Sequence, residues 1–301
     1  MIDLSVVIPS YENAALLEAC LAALARARAD HPALRFEVLV VDNGSRDGSA
    51  ELAAASPLGV RTIALARNRG FAAAVNVGLR ARRGRHVLLL NSDAEIEPDV
   101  LAGGVALLDD GSGIGVVGAE LLHPNGRPQR SVHALPDWTG ELLPERLVRG
   151  LRRSGSAPRP GSGGVVDVEA VRGAVFFIAG DLVEKLGGLD EGYFFFLEET
   201  DYCRRVRAAG RRVVHAPALR AVHRLGASSK TRAPLATRIE FERSLDRFLI
   251  RNRGPGVARL VRGLRSLRTA LGLLLLVLGA PLSARLRRKL RERAGLLLWH
   301  L

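Results

Sequence analysis

What constrains this chain most is a repeated alternation: a short apolar run, a polar stop, an amphipathic stretch, and then the next apolar run. Leu4–Ile8 (LSVVI) is a β-branched run closed by Pro9, which predicts a buried parallel strand ending at a loop. Leu16, Leu17, Cys20, Leu21 and Leu24 then recur at helical spacing, and Phe36–Val41 (FEVLVV) gives a second strand closing on Asp42. The pattern repeats with a helix near 49–55, a strand near 60–66, a helix near 72–82 and the strand HVLLLN ending at Asn91. Such alternation predicts an α/β fold with a Rossmann-like, mostly parallel sheet covered by helices on both faces. Ligands of such sheets bind beyond the carboxyl ends of the strands, so residues 9–13, 42–47 and 91–95 are expected to converge on one crevice.

Further along, the sequence predicts a helix over 98–108, strands at 115–118, 165–168 and 173–178, a helix at 180–186, a helix starting at Glu198 and a last strand near 212–215. Gly150–Gly164 (GLRRSGSAPRPGSGG) has almost nothing to bury and reads as a mobile loop inside one domain. The body is expected to close near Phe248, giving a domain over 1–248 and a C-terminal segment over 249–301. A composition of 48% hydrophobic and 25% charged residues excludes general disorder. Two cysteines, Cys20 and Cys203, cannot staple a secreted scaffold. The opening MIDLSVVIPSYEN shows no basic n-region before an apolar stretch, so no signal peptide is expected and the chain reads as cytosolic.

The net charge is +13, which normally raises nucleic acid or an anionic membrane as a partner. Its location decides between them: Arg247–Leu301 holds 13 basic residues and one acid, Glu292, a net of +12, while the first 246 residues sit at +1. With Trp299 as its one aromatic residue beyond Phe248 and a long apolar run, the tail offers no platform for stacking bases, and nucleic acid is not expected as a partner. Val257, Leu260, Val261, Leu264, Leu267 and Leu271 fall at helical spacing with Arg259, Arg262, Arg265 and Arg268 interleaved, the pattern of a basic amphipathic helix. The uncharged run Ala270–Leu282 is 13 residues long, about 20 Å of helix, against a hydrocarbon core of roughly 30 Å. A peripheral or re-entrant anchor on an anionic membrane surface, with Trp299 at the interface, is therefore expected over a transmembrane span; a helical pair packed on the body or on a second subunit of a homo-oligomer stays open.

Neither a P-loop nor GxGxxG follows the first strand, so phosphate is not cradled in those ways. Asp42, Asn43, Ser45 and Asp47 (VVDNGSRDGS) suit hydrogen bonding to a base and ribose, although taken alone they read more readily as a turn and helix cap. Asp93, leaving the strand HVLLLN, is well placed to hold a hard divalent cation through oxygen. Glu95 shares its face in an extended segment and fits an exposed position equally well. Three acids in four residues, Glu198, Glu199 and Asp201, follow the apolar FFFL; neighbouring charge and an apolar wall raise a carboxylate pKa, as a general base requires, while the same acids also fit an ordinary first helical turn.

Taken together, VVIPSYEN, VVDNGSRDGS, NRGFAAAVNVGL, LLLNSDAEI, LGGLDEGYFFFLEETDYCRRVRAAG and AVHRLGASS resemble glycosyltransferase family 2, in order and over residues 3–250. The match is to bacterial rhamnosyltransferase-like and galactofuranosyltransferase-like members of the GT-A fold. The resemblance implies that Pro9, Tyr11, Glu12 and Asp42, with Asn43, hold the nucleobase and ribose of a sugar nucleotide, flanked by Asn68, Gly70 and Asn76. It assigns Asp93 to the last aspartate of the family's D-x-D motif, a ligand of Mg²⁺ or Mn²⁺, with Ser92 between it and Asn91, which stands where the motif has its first aspartate. His223 corresponds to a late metal-ligand histidine. Glu199 corresponds to the catalytic base, and Gly173, Ala174, Glu198 and Asp201 to the wall around it. Ser228, Ser229 and Lys230 fit both a flap over the phosphates and a polar surface loop. The implied activity is metal-dependent, inverting transfer of a sugar, rhamnose first, from a dTDP- or UDP-linked donor to a lipid-linked or cell-surface glycan acceptor at the cytoplasmic face of the membrane. A sugar-nucleotide nucleotidyltransferase is the alternative, and PSYEN standing where a Gly-rich basic loop is required counts against it.

Overall fold

The computed structural model describes residues 1–137, 164–224, 234–279 and 294–299. The expected mobile loop up to 163 and Ser228, Ser229 and Lys230 lie outside the described residues. The chain divides into two compact units.

The first unit is built on a sheet in the strand order Arg61–Ala64, Phe36–Asp42, Leu4–Ser10, His86–Leu90, Val175–Ile178, Ile114–Leu122, Arg212–His223, Ala94–Ile96. Its first half follows the alternation of the sequence: β1 (Leu4–Ser10), α1 (Ala14–Asp30), β2 (Phe36–Asp42), α2 (Ser49–Ala54), β3 (Arg61–Ala64), α3 (Phe71–Ala81) and β4 (His86–Leu90). These four strands are parallel, with β1 between β2 and β4. Every residue of β1 and β4 is buried, as expected of strands covered on both faces.

The second half brings in antiparallel strands. It comprises β5 (Ala94–Ile96), α4 (Val100–Asp109), β6 (Ile114–Leu122), β7 (Val132–His133), β8 (Val166–Asp167), β9 (Ala170–Val171), β10 (Val175–Ile178), α5 (Gly180–Leu186), α6 (Glu198–Ala208) and β11 (Arg212–His223). β7 and β9 form a separate two-stranded ribbon. Because β10 is reached directly from that ribbon, with Val175 beside Leu90, it enters the sheet at the carboxyl end of β4 and runs back along it. No covering helix is needed for such a return, whereas a parallel neighbour requires one. This entry delivers Gly173 and Ala174 to the crevice. β11 is much longer than the expected strand over 212–215: a register shift between Ala216 and Arg220 carries it past Pro217, and it continues along β6 and β5 until His223 lies opposite Ala94.

The second unit holds α7 (Pro234–Arg253), α8 (Pro255–Gly279) and the segment Phe195–Leu197. α7 runs through the expected boundary at Phe248 without a break; the chain turns at Gly254 instead, where φ is +89°. Arg262 pairs with Asp246 at 2.5 Å and Arg265 with Glu242 at 2.6 Å, tying α8 to α7. Ala258 and Val261 are buried, while Leu260, Leu267, Leu271 and Leu274 are each at least half exposed. The apolar stripe of α8 therefore splits into a buried and an exposed row.

Candidate active site

Three strand-end loops are stitched into one floor. Asn43 N–H donates to the Ser10 carbonyl at 2.8 Å, Glu12 N–H to Ser45 Oγ at 2.9 Å and Ala14 N–H to Asp47 Oδ2 at 2.9 Å, joining the loops after β1 and β2. Asn13 Nδ2 donates to Ser92 Oγ at 2.5 Å, joining the first loop to that after β4. Glu12 adopts φ +54° and returns its carboxylate to Arg46 N–H at 2.8 Å. The other described non-glycine residues in the left-handed region are Phe196 and Leu197, immediately before α6. Strained backbone of this kind concentrates at functional sites.

Asp42 is buried at the end of β2; one carboxylate oxygen accepts from Ser45 N–H and the other, Oδ1, has no hydrogen-bond partner. Asn91 Oδ1 is likewise buried and unsatisfied at the end of β4. Leaving a buried acceptor unmade costs about 1–3 kcal/mol, so two at the ends of strands that flank β1 mark where a ligand's donors or a cation would bind. Pro9 is buried within β1, whereas the Tyr11 ring is 41% exposed at the rim.

Asn43 braces the next loop, donating to Asn68 Oδ1 and the Gly70 carbonyl at 3.1 Å and accepting from Arg69 N–H at 2.9 Å. Gly70 sits at φ +90° with the Phe194 carbonyl 2.6 Å from where a Cβ would project, and the next residue's N–H donates to that same carbonyl at 2.7 Å. Only glycine fits this approach. Asn76 was expected beside the nucleotide; its amide is instead spent on Leu189, donating to the carbonyl and accepting from the N–H at 2.8 Å each, with a further bond to Glu191. It anchors the segment leading to Tyr193 and does not face the strand ends.

Asp93 and His223 are both buried, with Oδ1 and Nε2 3.3 Å apart. Gln129 fixes the ring: its Nε2 donates to the carbonyls of Leu122 (2.9 Å) and His223 (2.5 Å), leaving Oε1 to face His223 Nδ1 at 3.2 Å. Nδ1 must then be the ring's donor to Oε1, and Nε2 turns a lone pair toward Asp93. A carboxylate oxygen and an imidazole lone pair at this spacing are suited to share a divalent cation. Sequence reasoning missed Gln129, which no spacing ties to His223. Glu95 proves to be paired with Arg224 at 3.0 Å.

Glu199 stands beside the two-residue segment Gly173–Ala174. Ala174's carbonyl accepts from Asn91 N–H at 2.9 Å, while a Cβ on Gly173 would lie 3.4 Å from Glu199 Cβ and Cγ. Burial pushes the Glu199 carboxyl above the usual range, and hydrogen bonds from its own and Thr200's backbone, the Arg172 charge and the Thr200 hydroxyl pull it only partly back. Thr200 Oγ1 in turn meets His133 Nε2 at 2.8 Å. Glu198 is 4% exposed. Asp201 was expected in the site wall; it is buried and pairs with Arg205 at 2.9 Å, whose other nitrogens bind the Leu186 and Gly188 carbonyls, so it secures α6 to the preceding loop.

The Glycosyl transferase family 2 model matches residues 5–170. The uncharacterized protein y4gI of Sinorhizobium fredii is 32% identical over 228 residues, 70% of this chain and 23% of that protein, so the chain spans less than a quarter of this relative's length. An N-acetylglucosaminyl-diphospho-decaprenol L-rhamnosyltransferase of Mycobacterium tuberculosis is 27% identical over 253 residues, 73% of this chain and 75% of that one. Among solved structures, a mannosyltransferase of Pyrobaculum calidifontis in complex with GDP-Man and Mn²⁺ superposes with a TM-score of 0.58 at 19% identity, covering 99% of this chain and 85% of that one.

Proposed function

The chain belongs to glycosyltransferase family 2 and has the GT-A fold, and from that premise we propose that it transfers a sugar from a nucleoside diphosphate sugar to a hydroxyl of a lipid-linked glycan, with inversion at the anomeric carbon. One observation carries the reading: Gly173–Ala174 joins the stitched strand-end floor, through the Asn91 N–H to Ala174 carbonyl bond beside the Asp93–His223 pair, to the Glu199 side chain packed on Gly173. That arrangement brings the base candidate and the strand-end floor to one short segment.

In this reading Asp42 and Asn43 hold base and ribose, and Tyr11 closes the rim. Asp93 Oδ1 and His223 Nε2, with Asn91 Oδ1 nearby in sequence, are hard oxygen and imidazole donors that fit Mg²⁺ or Mn²⁺, the remaining positions being left to diphosphate oxygens and water. A cation bound there supplies positive charge against the departing diphosphate. Glu199 takes the proton from the acceptor hydroxyl, whose oxygen attacks the anomeric carbon in line as the nucleoside diphosphate leaves with the bond electrons. Rhamnose is the favoured sugar, supported by the rhamnosyltransferase relative. The exposed leucine row of α8 supports a peripheral seat on a membrane, with the domain over 1–248 carrying the chemistry and the segment over 249–301 the attachment.

Incubating the full chain with a panel of dTDP-, UDP- and GDP-sugars in Mg²⁺ or Mn²⁺ tests this. Release of nucleoside diphosphate from one donor, lost in Asp93→Asn, is the expected result; release of pyrophosphate, or turnover of no member of the panel, overturns it.

A further inference from the structure

Phe196 and Leu197 stand side by side in the left-handed region, at φ +76° and +66°, and the next residue opens α6. Neither suits that backbone, because a Cβ crowds the carbonyl that follows it; glycine takes it freely, and YFFFL (Tyr193–Leu197) offers none. Two such residues in succession persist only where neighbouring structure holds them.

The hold comes from α7. Ser244 is 2% exposed and donates its hydroxyl to the Phe195 carbonyl at 2.8 Å. A serine inside a helix ordinarily bonds the carbonyl four residues back, as Ser266 does to Arg262. Ser244 instead reaches a segment 49 residues earlier in the chain. Three residues before it, on the same face of the helix, Phe241 meets the Phe196 ring edge to face with centroids 5.7 Å apart. The Phe196 ring also lies 4.2 Å from that of Phe195, and Arg265 of α8 sits over the Phe241 ring at 5.6 Å. The clamp therefore grips both the backbone and a side chain of the left-handed turn.

Upstream, the Phe194 carbonyl accepts from Phe71 N–H at 2.7 Å, so the chain enters the turn from a fixed point. Return of Phe196 or Leu197 to the negative φ that it prefers would then redirect the chain at its other end, where α6 begins and Glu199 is the second residue. We infer that Ser244 and Phe241 are positioning residues for Glu199: by holding Phe195–Leu197 in its left-handed turn, they aim the first turn of α6 and the carboxylate it carries. The inference rests on the transferase reading above and deepens it, giving α7 a part in aligning the base.

The test compares the full chain with Ser244→Ala, Ser244→Thr and Phe241→Leu, using the donor identified by the sugar-nucleotide panel. Ser244→Ala is expected to lower kcat about tenfold or more and to move the acidic limb of the kcat/KM profile, with the donor KM and half-saturating cation within about twofold of the parent. Ser244→Thr, which keeps the hydroxyl, should lose less. Phe241→Leu keeps an apolar side chain and gives an independent reading should Ser244→Ala fail to fold; it too should lower kcat at an unchanged donor KM. A merely structural role would lower Tm and leave kcat and the acidic limb of the folded protein where they were, and that result in both variants overturns the inference. Hydrogen exchange over residues 195–202 reads the clamp without turnover: in Ser244→Ala it should be about tenfold faster or more there and unchanged over β4, and parental rates overturn the clamp. If no sugar nucleotide is turned over while exchange at 195–202 still depends on Ser244, the transferase reading fails and the clamp stands.

Discussion

Gln129 holds His223 from both ends, taking Nδ1 at 3.2 Å and the residue's own carbonyl at 2.5 Å, so that Nε2 faces the Asp93 carboxylate. Partners of this kind orient a metal-binding imidazole, and removing one typically costs about 10–100-fold in metal affinity. Gln129→Ala is expected to raise the half-saturating Mn²⁺ or Mg²⁺ concentration by about that factor while leaving the rate at saturating metal within a few-fold. A metal titration of activity in the two proteins checks this; an unchanged midpoint would separate His223 from the cation.

Glu199 has a carboxyl whose pKa burial pushes upward. As the proton acceptor it works only when ionised, so kcat/KM should rise with pH on an acidic limb set above the ordinary glutamate value of about 4.3. Stability runs the other way. Between the unfolded and the raised folded pKa the native state binds more protons, so stability falls as pH rises through that window. Glu199→Gln should therefore abolish transfer, about 10³-fold or more, keep donor binding, and gain in Tm relative to the parent as pH rises from 4 to 8. Paired rate and thermal-melt profiles decide it; a Tm difference that does not change with pH would sink the assignment of a buried, raised carboxyl.

Much of this was legible in the sequence because the N-terminal half is a regular βαβ series: Leu4–Ile8, Phe36–Val41 and His86–Leu90 are buried strands whose polar stops mark their ends. The return of β10 was not legible, since direction is set by where the chain re-enters the sheet and not by the composition of VFFI. Asp93 could be read from its exit off β4. Its partnership with His223 and Gln129 depends on the long β11 and its bulge beyond Pro217, which breaks the apolar pattern at the point where the strand continues. The family resemblance and the run of three acids single out Asn76 and Asp201, but neither shows where a side chain's hydrogen bonds go; in the fold they are spent on Leu189 and Arg205.

His215 illustrates a polar residue the site does not use. It is 1% exposed on β11, 3.0 Å from Glu120, and burial pushes its pKa down to about 4, so the imidazole is neutral in the folded protein at neutral pH, while burial pushes the Glu120 carboxyl up. An unfolded histidine titrates near pH 6.5. Its folded value is depressed, so the unfolded chain binds the extra proton first and stability is lost as pH falls from about 6.5 toward 4, at roughly 1.4 kcal/mol per unit. His215→Gln should flatten the acid limb of chemical denaturation midpoints over this range, even if it is less stable at pH 7. Parallel slopes in the two proteins would show that protonation of His215 does not drive acid unfolding.

The exposed leucines of α8 lead to the last expectation. Leu260, Leu267, Leu271 and Leu274 are spaced seven, four and three residues apart, which places them on one face of a helix over about 21 Å. Arg262 and Arg265 are tied to Asp246 and Glu242 of α7, so the membrane seat proposed above would rest chiefly on the leucines of this face. No helix among the described residues is long and apolar enough to cross a membrane. A shallow in-plane seat then gains from burying apolar side chains, at about 1.5–3 kcal/mol per leucine fully withdrawn from water. Leu267→Glu with Leu271→Glu should cut partitioning onto phosphatidylglycerol vesicles at least tenfold in a flotation assay. Because neither side chain is buried, the same double variant should melt within a few degrees of the parent. Equal flotation of both proteins would move the attachment off this face, and a large loss of Tm would show that the leucines support the α7–α8 pair itself.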